Sequence, residues 1–210
     1  MRESVLVIID VQKAIDHHSW GRRNNPDAEQ HIAKLLAHWR KLDLPIVHVQ
    51  HLSTEPNSTY RPNQPGCEFK KEVKPLPGEK IVQKSVNCAF IGTDLEDYLR
   101  TNGYQQLVIT GVITNNSVEA TARVSGNLGF DTIVVSDATA TFDKQDLRGK
   151  WHTAETVHAL ALANLSGEYA RVQTTEQVLE NVKLHVIADS SQNKGLQPLV
   201  RRELIAESSL

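Results

Sequence analysis

The sequence predicts a doubly wound α/β fold with right-handed crossovers, and three observations predict it. Short β-branched runs recur from Val5 to Gln173. They read as nearly continuous apolar runs rather than strict alternations, which suits a parallel sheet covered on both faces. Helical patterns lie between them, giving the order β-α-β-loop-β-α-β-α-β-α-β, for which helices crossing over a parallel sheet are the compact solution.

Taken in order, the strand candidates are Val5–Ile9, Ile46–Gln50, Lys80–Gln83, Gln106–Thr110, Thr132–Ser136 and Ala170–Gln173. The first helix is expected over Asp27–Lys41, where Ile32, Leu35, Leu36 and Trp39 keep helical spacing. Thr93–Asn102 and Ser117–Leu128 are further helices, each followed by a glycine stop, Gly103 and Gly129. A fourth is expected over Trp151–Leu165, with Val157, Leu160, Ala161 and Leu165 on one stripe. The stretch Ser53–Gly78 holds five of the eight prolines and reads as an irregular excursion. Long loops at the carboxyl ends of strands in such folds shape the ligand crevice. One domain over residues 1–183 is expected. An extension over 184–210 follows, with linker composition at Ser190–Gly195 and a terminal helix or oligomer contact expected at Gln197–Ala206.

Bulk properties narrow the function classes. A net charge of -2 and a pI near 6.5 provide no basic field for nucleic acid. No run approaches the ~20 apolar residues of a membrane span, and the amino-terminal apolar run is too short for a signal peptide. The two cysteines, Cys67 and Cys88, form no CxxC pair and suggest a reducing compartment. A cytoplasmic protein with a small-molecule substrate is expected, with neither nucleic acid nor membrane as partner and with no cofactor.

Three residues fall at or just past the carboxyl ends of strands: Asp10 after the first, Lys84 after the third, Ser117 after the fourth. In an open α/β sheet those ends face one crevice. A carboxylate there can take a proton from a nucleophile, and an ammonium can favour the anionic forms of both. Ser117 would lie near a helix start, where free N–H groups and the helix dipole favour negative charge.

On those residues the chain resembles the isochorismatase-like cysteine hydrolases, a superfamily that includes nicotinamidases, N-carbamoylsarcosine amidases and isochorismatases. The matching stretches are Val7-Ile-Ile-Asp-Val-Gln12, Gln83–Leu95, Thr110–Arg123 and Gly129–Ala138. The resemblance implies a six-stranded parallel sheet with helices on both faces, Rossmann-like, and a catalytic Asp-Lys-Cys triad that maps onto Asp10, Lys84 and Ser117. It also implies a cis peptide at Val112-Ile113 or Ile113-Thr114, an oxyanion hole drawn from Ile113, Thr114 and Ser117, and a homo-oligomer, dimer or larger.

Ser117 departs from the triad. A thiol needs only a modest shift from ~8.5 to ionise at neutral pH, whereas serine needs a well-placed base. Asp10 is a mediocre base unless burial raises its pKa, and Lys84 beside it would lower that pKa. Hydrolysis of a C–N bond in a small amide or ureide is the leading expectation. The alternatives are vinyl-ether cleavage by Asp10 and water, as in isochorismatases, and ligand binding without turnover.

The remaining candidates have plainer readings beside them. Trp20, Asn24 and Asn25 follow the first strand and are candidates to line the substrate cavity, as is Asn116 beside the nucleophile. Asn116-Ser-Val-Glu119 also reads as a capping box with Asn116 as N-cap. Glu119 and Arg123 form an i,i+4 pair. His48 and His51 fall on the second strand, where nicotinamidases carry a metal site. Residues three apart on a strand point to opposite faces, so no metal is expected. Cys88 reads as a buried structural thiol, and Phe90, Phe142 and His158 as core.

Overall fold

The computed structural model describes residues 4–182. The expected extension over 184–210, with its helix at Gln197–Ala206, lies outside them. Eight strands and four α-helices are bounded within the described residues: β1 Ser4–Ile9, α1 Ala28–Lys41, β2 Ile46–His51, β3 Lys80–Lys84, α2 Leu95–Thr101, β4 Gln106–Val112, α3 Glu119–Asn127, β5 Asp131–Ala140, β6 Lys144–Gln145, β7 Trp151–His152, α4 Ala154–Leu165 and β8 Arg171–Gln173. A helical stretch over 175–182 follows.

Six strands form one sheet in the order β3-β2-β1-β4-β5-β8, and every neighbouring pair is parallel. The order reverses between β1 and β4, the switch point at which such sheets hold ligands. All six residues of β1 are buried, as a central parallel strand covered on both faces requires. One apolar cluster packs Val5, Val7, Ile109 and Val134 against α2, α3 and α4. The other packs Leu6, Ile8, Val108 and Ile133 against α1 and the 175–182 stretch. Ile32, Leu35, Leu36 and Trp39 of α1 all fall in the second cluster, the face their spacing predicts.

Three elements differ from expectation. Position 151 does not begin a helix: Trp151–His152 pairs antiparallel with Lys144–Gln145 in a small hairpin. Helix α4 starts at Ala154, where the Thr153 side chain accepts from Thr156 N–H and satisfies one of the open first-turn donors. Leu160 leaves the expected stripe and is 60% exposed, because α4 is apolar around most of its circumference and its spacing does not select one face.

The helix expected from Ser117 begins only at Glu119. Thr114–Val118 forms one π-helical turn in which Asn115 leaves helical geometry (φ -84, ψ 18). No side chain caps α3. The predicted capping box does not form, because the Glu119 carboxylate instead accepts from Arg123 at 2.6 Å, the expected i,i+4 pair.

Strand β5 runs four residues beyond its expected end and bulges on the way. Ile109 pairs with Val134, but Gly111 pairs with Thr139. The carbonyls freed at Ser136 and Thr139 both accept from Asn25 Nδ2, at 2.9 and 2.7 Å. Asn25 therefore holds the bulge together.

Candidate active site

The carboxyl ends of four adjacent strands carry the site. Across the sheet they present Lys84 on β3, His51 on β2, Asp10 just past β1 and Ser117 after β4. Asp10 leaves the strand with φ 54, a left-handed conformation that aspartate tolerates better than bulkier residues. Gly111 makes room beside it. A Cβ there would lie 2.1 Å from the Ile9 carbonyl oxygen, and its φ of 114 is open to glycine alone. The next peptide, Val112-Ile113, is cis, one of the two positions the resemblance implied.

The structure brings the three expected residues together. Lys84 Nζ donates to Asp10 Oδ2 at 2.6 Å and to Ser117 Oγ at 3.3 Å. Asp10, Lys84 and Ser117 are 4%, 3% and 6% exposed, so water screens these contacts little. Asp10 Oδ1 is buried with no hydrogen-bond partner. Burial raises the pKa of Asp10 against the opposing pull of Lys84 and the Ser117 hydroxyl. Of the two opposing effects expected from the sequence, burial outweighs Lys84. The carboxyl lies too deep, with one oxygen unpaired, for a single ammonium to offset the lost hydration.

Sequence reasoning weighed His51 only as a metal ligand, and the structure places it in this site. Its Nδ1 lies 3.3 Å from Lys84 Nζ. Burial and the neighbouring ammonium lower its pKa to about 4, so the ring is neutral at physiological pH. His48, three residues back, points away from the trio, with its Nε2 2.8 Å from Glu79 Oε2. The two histidines thus face different partners, an ammonium and a carboxylate, and no group of three or more metal-ligating side chains occurs among the described residues. The pair does not fit a shared metal. The signal that would have found His51 is register: it pairs with Lys84 across the β2–β3 ladder.

The surroundings are built from Gln12, Tyr60, Trp20 and Phe142. Gln12 is fully buried, accepts from His51 N–H at 2.8 Å and donates to His51 carbonyl at 2.9 Å. Tyr60 donates its hydroxyl to the Asp10 carbonyl at 3.3 Å and meets the His51 ring edge-on. Trp20 stands edge-on to Tyr60, stacks on Phe142 and donates to the Ala14 carbonyl at 2.9 Å. Its body stays beside the site, but its one donor is already used.

Two further candidates for substrate contact are placed differently from expectation. Asn24 is buried and its Oδ1 accepts from Thr141 N–H at 2.7 Å, a tie between loops. Asn116 is exposed, because the π turn rotates it outward while Ser117 turns in. Asn115 instead takes an inward role, accepting from the Thr141 hydroxyl at 2.5 Å. His158, expected in the core, is half-buried and ties α4 to the π turn through Thr114 Oγ1 at 2.9 Å. Phe90 and Phe142 are in the core as expected.

Two clefts lie beside the trio rather than around it. One of about 300 Å³ runs from Asn115 and Glu119 to the β6–β7 hairpin and α4. A more polar one of about 660 Å³ separates Lys13–Ser19 from Pro56–Gly66. Neither is lined by Asp10, Lys84 or Ser117.

The sheet and its order are those of the isochorismatase-like hydrolases. The isochorismatase domain model matches residues 4–177, and the chain belongs to that family. It is 44% identical to the Bacillus subtilis isochorismatase family protein YrdC over 184 residues, 87% of this chain and 98% of that one. The crystal structure of an isochorismatase-family protein from Chromobacterium violaceum superposes with a TM-score of 0.84 at 53% identity, covering 86% of this chain and 93% of the other. Some relatives have named activities. The streptothricin hydrolase of Streptomyces noursei is 32% identical over 79% of this chain and 64% of its own. The ureidoacrylate amidohydrolase RutB of Variovorax paradoxus is 38% identical over 72 residues, 34% of this chain and 29% of its own.

Proposed function

We propose that this chain hydrolyses a C–N bond in a small amide or ureide, with Asp10 as general base and then acid, Lys84 as its electrostatic partner and Ser117 as nucleophile. The observation that carries the reading is the convergence of the three side chains, with Lys84 Nζ 2.6 Å from Asp10 Oδ2 and 3.3 Å from Ser117 Oγ. The raised pKa and unpaired Oδ1 of Asp10 supply what a serine needs, a more basic carboxylate with a free lone pair. The amidohydrolase name of one relative supports the substrate class.

Ser117 Oγ attacks the carbonyl carbon and its proton passes to Asp10. The oxyanion is held by N–H groups of Ile113, Thr114 and Ser117. Those of Asn116 and Val118 in the same bend are already taken by the Ile113 carbonyl. Asp10 then returns the proton to the leaving nitrogen as the C–N bond breaks. Water, deprotonated by Asp10, releases the acyl group and restores the serine.

A second reading draws on the same raised pKa, since a carboxyl that holds its proton longer is also a better acid. Asp10 would protonate a vinyl ether and a water held by Ser117 would complete the hydrolysis. Assay of small amides, ureides and vinyl ethers with the protein, Ser117→Ala and Ser117→Cys separates the two. Amide turnover lost in the alanine variant supports the nucleophilic route, and vinyl-ether turnover that survives there supports the other. Absence of product from the whole panel, with melting-temperature shifts on ligand addition, would favour a binding protein.

A further inference from the structure

We propose that His51 is a positioning residue for Lys84: its ring nitrogen is the third acceptor of the ammonium and fixes that cation between Asp10 and Ser117. The inference rests on the catalytic reading of that trio and extends it to a fourth strand end.

An ammonium has three N–H donors and no acceptor. The Lys84 side chain is wholly buried, so water is not at hand to take up a donor left over, and an unsatisfied buried cation is costly. Asp10 Oδ2 and Ser117 Oγ account for two donors, and His51 Nδ1 at 3.3 Å is placed for the third. The sheet dictates this placement. β2 lies between the strand of Lys84 and the strand of Asp10, and His51 is the β2 residue in register with Lys84. The lysine must pass the His51 ring to reach Asp10.

The ring is itself held in place. Gln12 clamps the His51 backbone through both its N–H and its carbonyl. Tyr60 packs edge-on against the ring, with centroids 5.5 Å apart, and ties back to the Asp10 carbonyl. The ring also hydrogen-bonds the Val86 backbone, and the tautomer with a bare Nδ1 can accept from the ammonium 3.3 Å away. The titratable groups against His51 are Lys84 and Tyr60 at the ring and Cys67 at its carbonyl, and the neutral ring suits a neighbour that is already a cation.

A thiol at position 117 reports where the ammonium sits, since a nearby cation lowers a thiol pKa. The probe is iodoacetamide applied to Ser117→Cys across pH 5–10, with alkylation read peptide by peptide so that Cys67 and Cys88 are scored separately. The expected result is a pKa at position 117 below the ordinary ~8.5. Adding His51→Phe, which keeps the packing on Tyr60 but has no acceptor, should raise that pKa by about one unit and slow alkylation at neutral pH roughly tenfold. His51→Asn, which restores an acceptor, should recover most of the loss. If His51→Phe melts below the assay temperature, His51→Leu takes its place with the same expectation. A depressed thiol pKa that His51→Phe leaves unchanged, or one that the phenylalanine raises and asparagine fails to lower, overturns the role of His51 alone. An ordinary thiol pKa in Ser117→Cys itself overturns the reading of the trio, and this inference with it.

Discussion

Strand β2 supplies the histidines of two carboxylate–histidine–cation clusters, and the two differ in how fully their carboxylates are satisfied. In the first, Glu79 receives Arg40 Nε at 2.7 Å on one oxygen. On the other it receives Arg40 guanidinium at 2.9 Å, Leu76 N–H at 2.8 Å and His48 Nε2 at 2.8 Å. In the second, Asp10 has one lysine partner at 2.6 Å and a buried oxygen with no partner. The pKa values diverge accordingly. Burial acts to raise both, but around Glu79 the Arg40 and Leu76 hydrogen bonds and His48 overcome it and bring the carboxyl down to about 2, whereas at Asp10 burial wins. Buried polar groups in folded proteins are nearly always paired. His48 Nδ1 is also buried without a partner, so the contrast lies in the carboxylates: Glu79, paired on both oxygens, stabilises, and Asp10, with one oxygen open, is poised to meet something else.

The sharpest way to break this contrast is to neutralise each carboxylate in turn. Asp10→Asn should reduce turnover of whichever panel compound the protein hydrolyses by roughly a thousandfold, the scale of a positioned acid–base group. Because the base form is needed first, kcat/KM of the unmodified protein should fall as pH drops through the raised pKa of Asp10, above the usual carboxylate range. A pH profile locates that limb, and a limb near the ordinary ~3.9 would put Asp10 in the same category as Glu79.

Glu79→Ala should act on the fold instead. It leaves Arg40 and His48 without their shared partner, at a cost of about 3 kcal/mol, read as a fall in the denaturant midpoint with turnover of the remaining folded protein unchanged. The sign against pH is definite. A carboxyl depressed to about 2 from its ordinary 4.5 contributes stability that is complete above pH 4.5 and lost as pH falls toward 2. Asp10 has the opposite sign, since a raised folded pKa means its ionisation opposes folding as pH rises. The Glu79→Ala variant should therefore show a flatter acid limb of stability than its parent.

How much of this was legible in the sequence follows from what periodicity and spacing encode. β-branched runs and helical stripes record burial, so all six sheet strands and the α1 stripe of Ile32, Leu35, Leu36 and Trp39 were readable. Asp10, Lys84 and Ser117 were readable because each follows a strand, and strand ends in this fold share an edge. Strand order is not local information, and His51 could not be matched with Lys84 until β2 was known to lie between β3 and β1. The π turn escaped because Asn116-Ser-Val-Glu119 has the composition of a capping box. The extra residue that turns Ser117 inward and Asn116 outward is set by contacts with β4 and α4. The bulge in β5 was hidden for the same reason, since Asn25, which holds it, is 111 residues from Ser136.

Asn24 offers the finest test of the distinction between satisfied and open groups. Its position after β1 suggested a substrate contact, yet its Oδ1 accepts from the Thr141 N–H and its own N–H donates to the Thr141 carbonyl. By the logic of the two clusters it belongs with Glu79, not with Asp10. Asn24→Ala should then strand the buried Thr141 donor at a cost of about 1–2 kcal/mol, seen as a lower melting temperature, while KM for the panel substrate stays within error. A KM that rises with melting unchanged would return Asn24 to the substrate pocket. It would also show that a hydrogen-bonded side chain in this protein can serve both loop and ligand, so that an unpaired atom such as Asp10 Oδ1 would no longer suffice to tell the working group from the structural one.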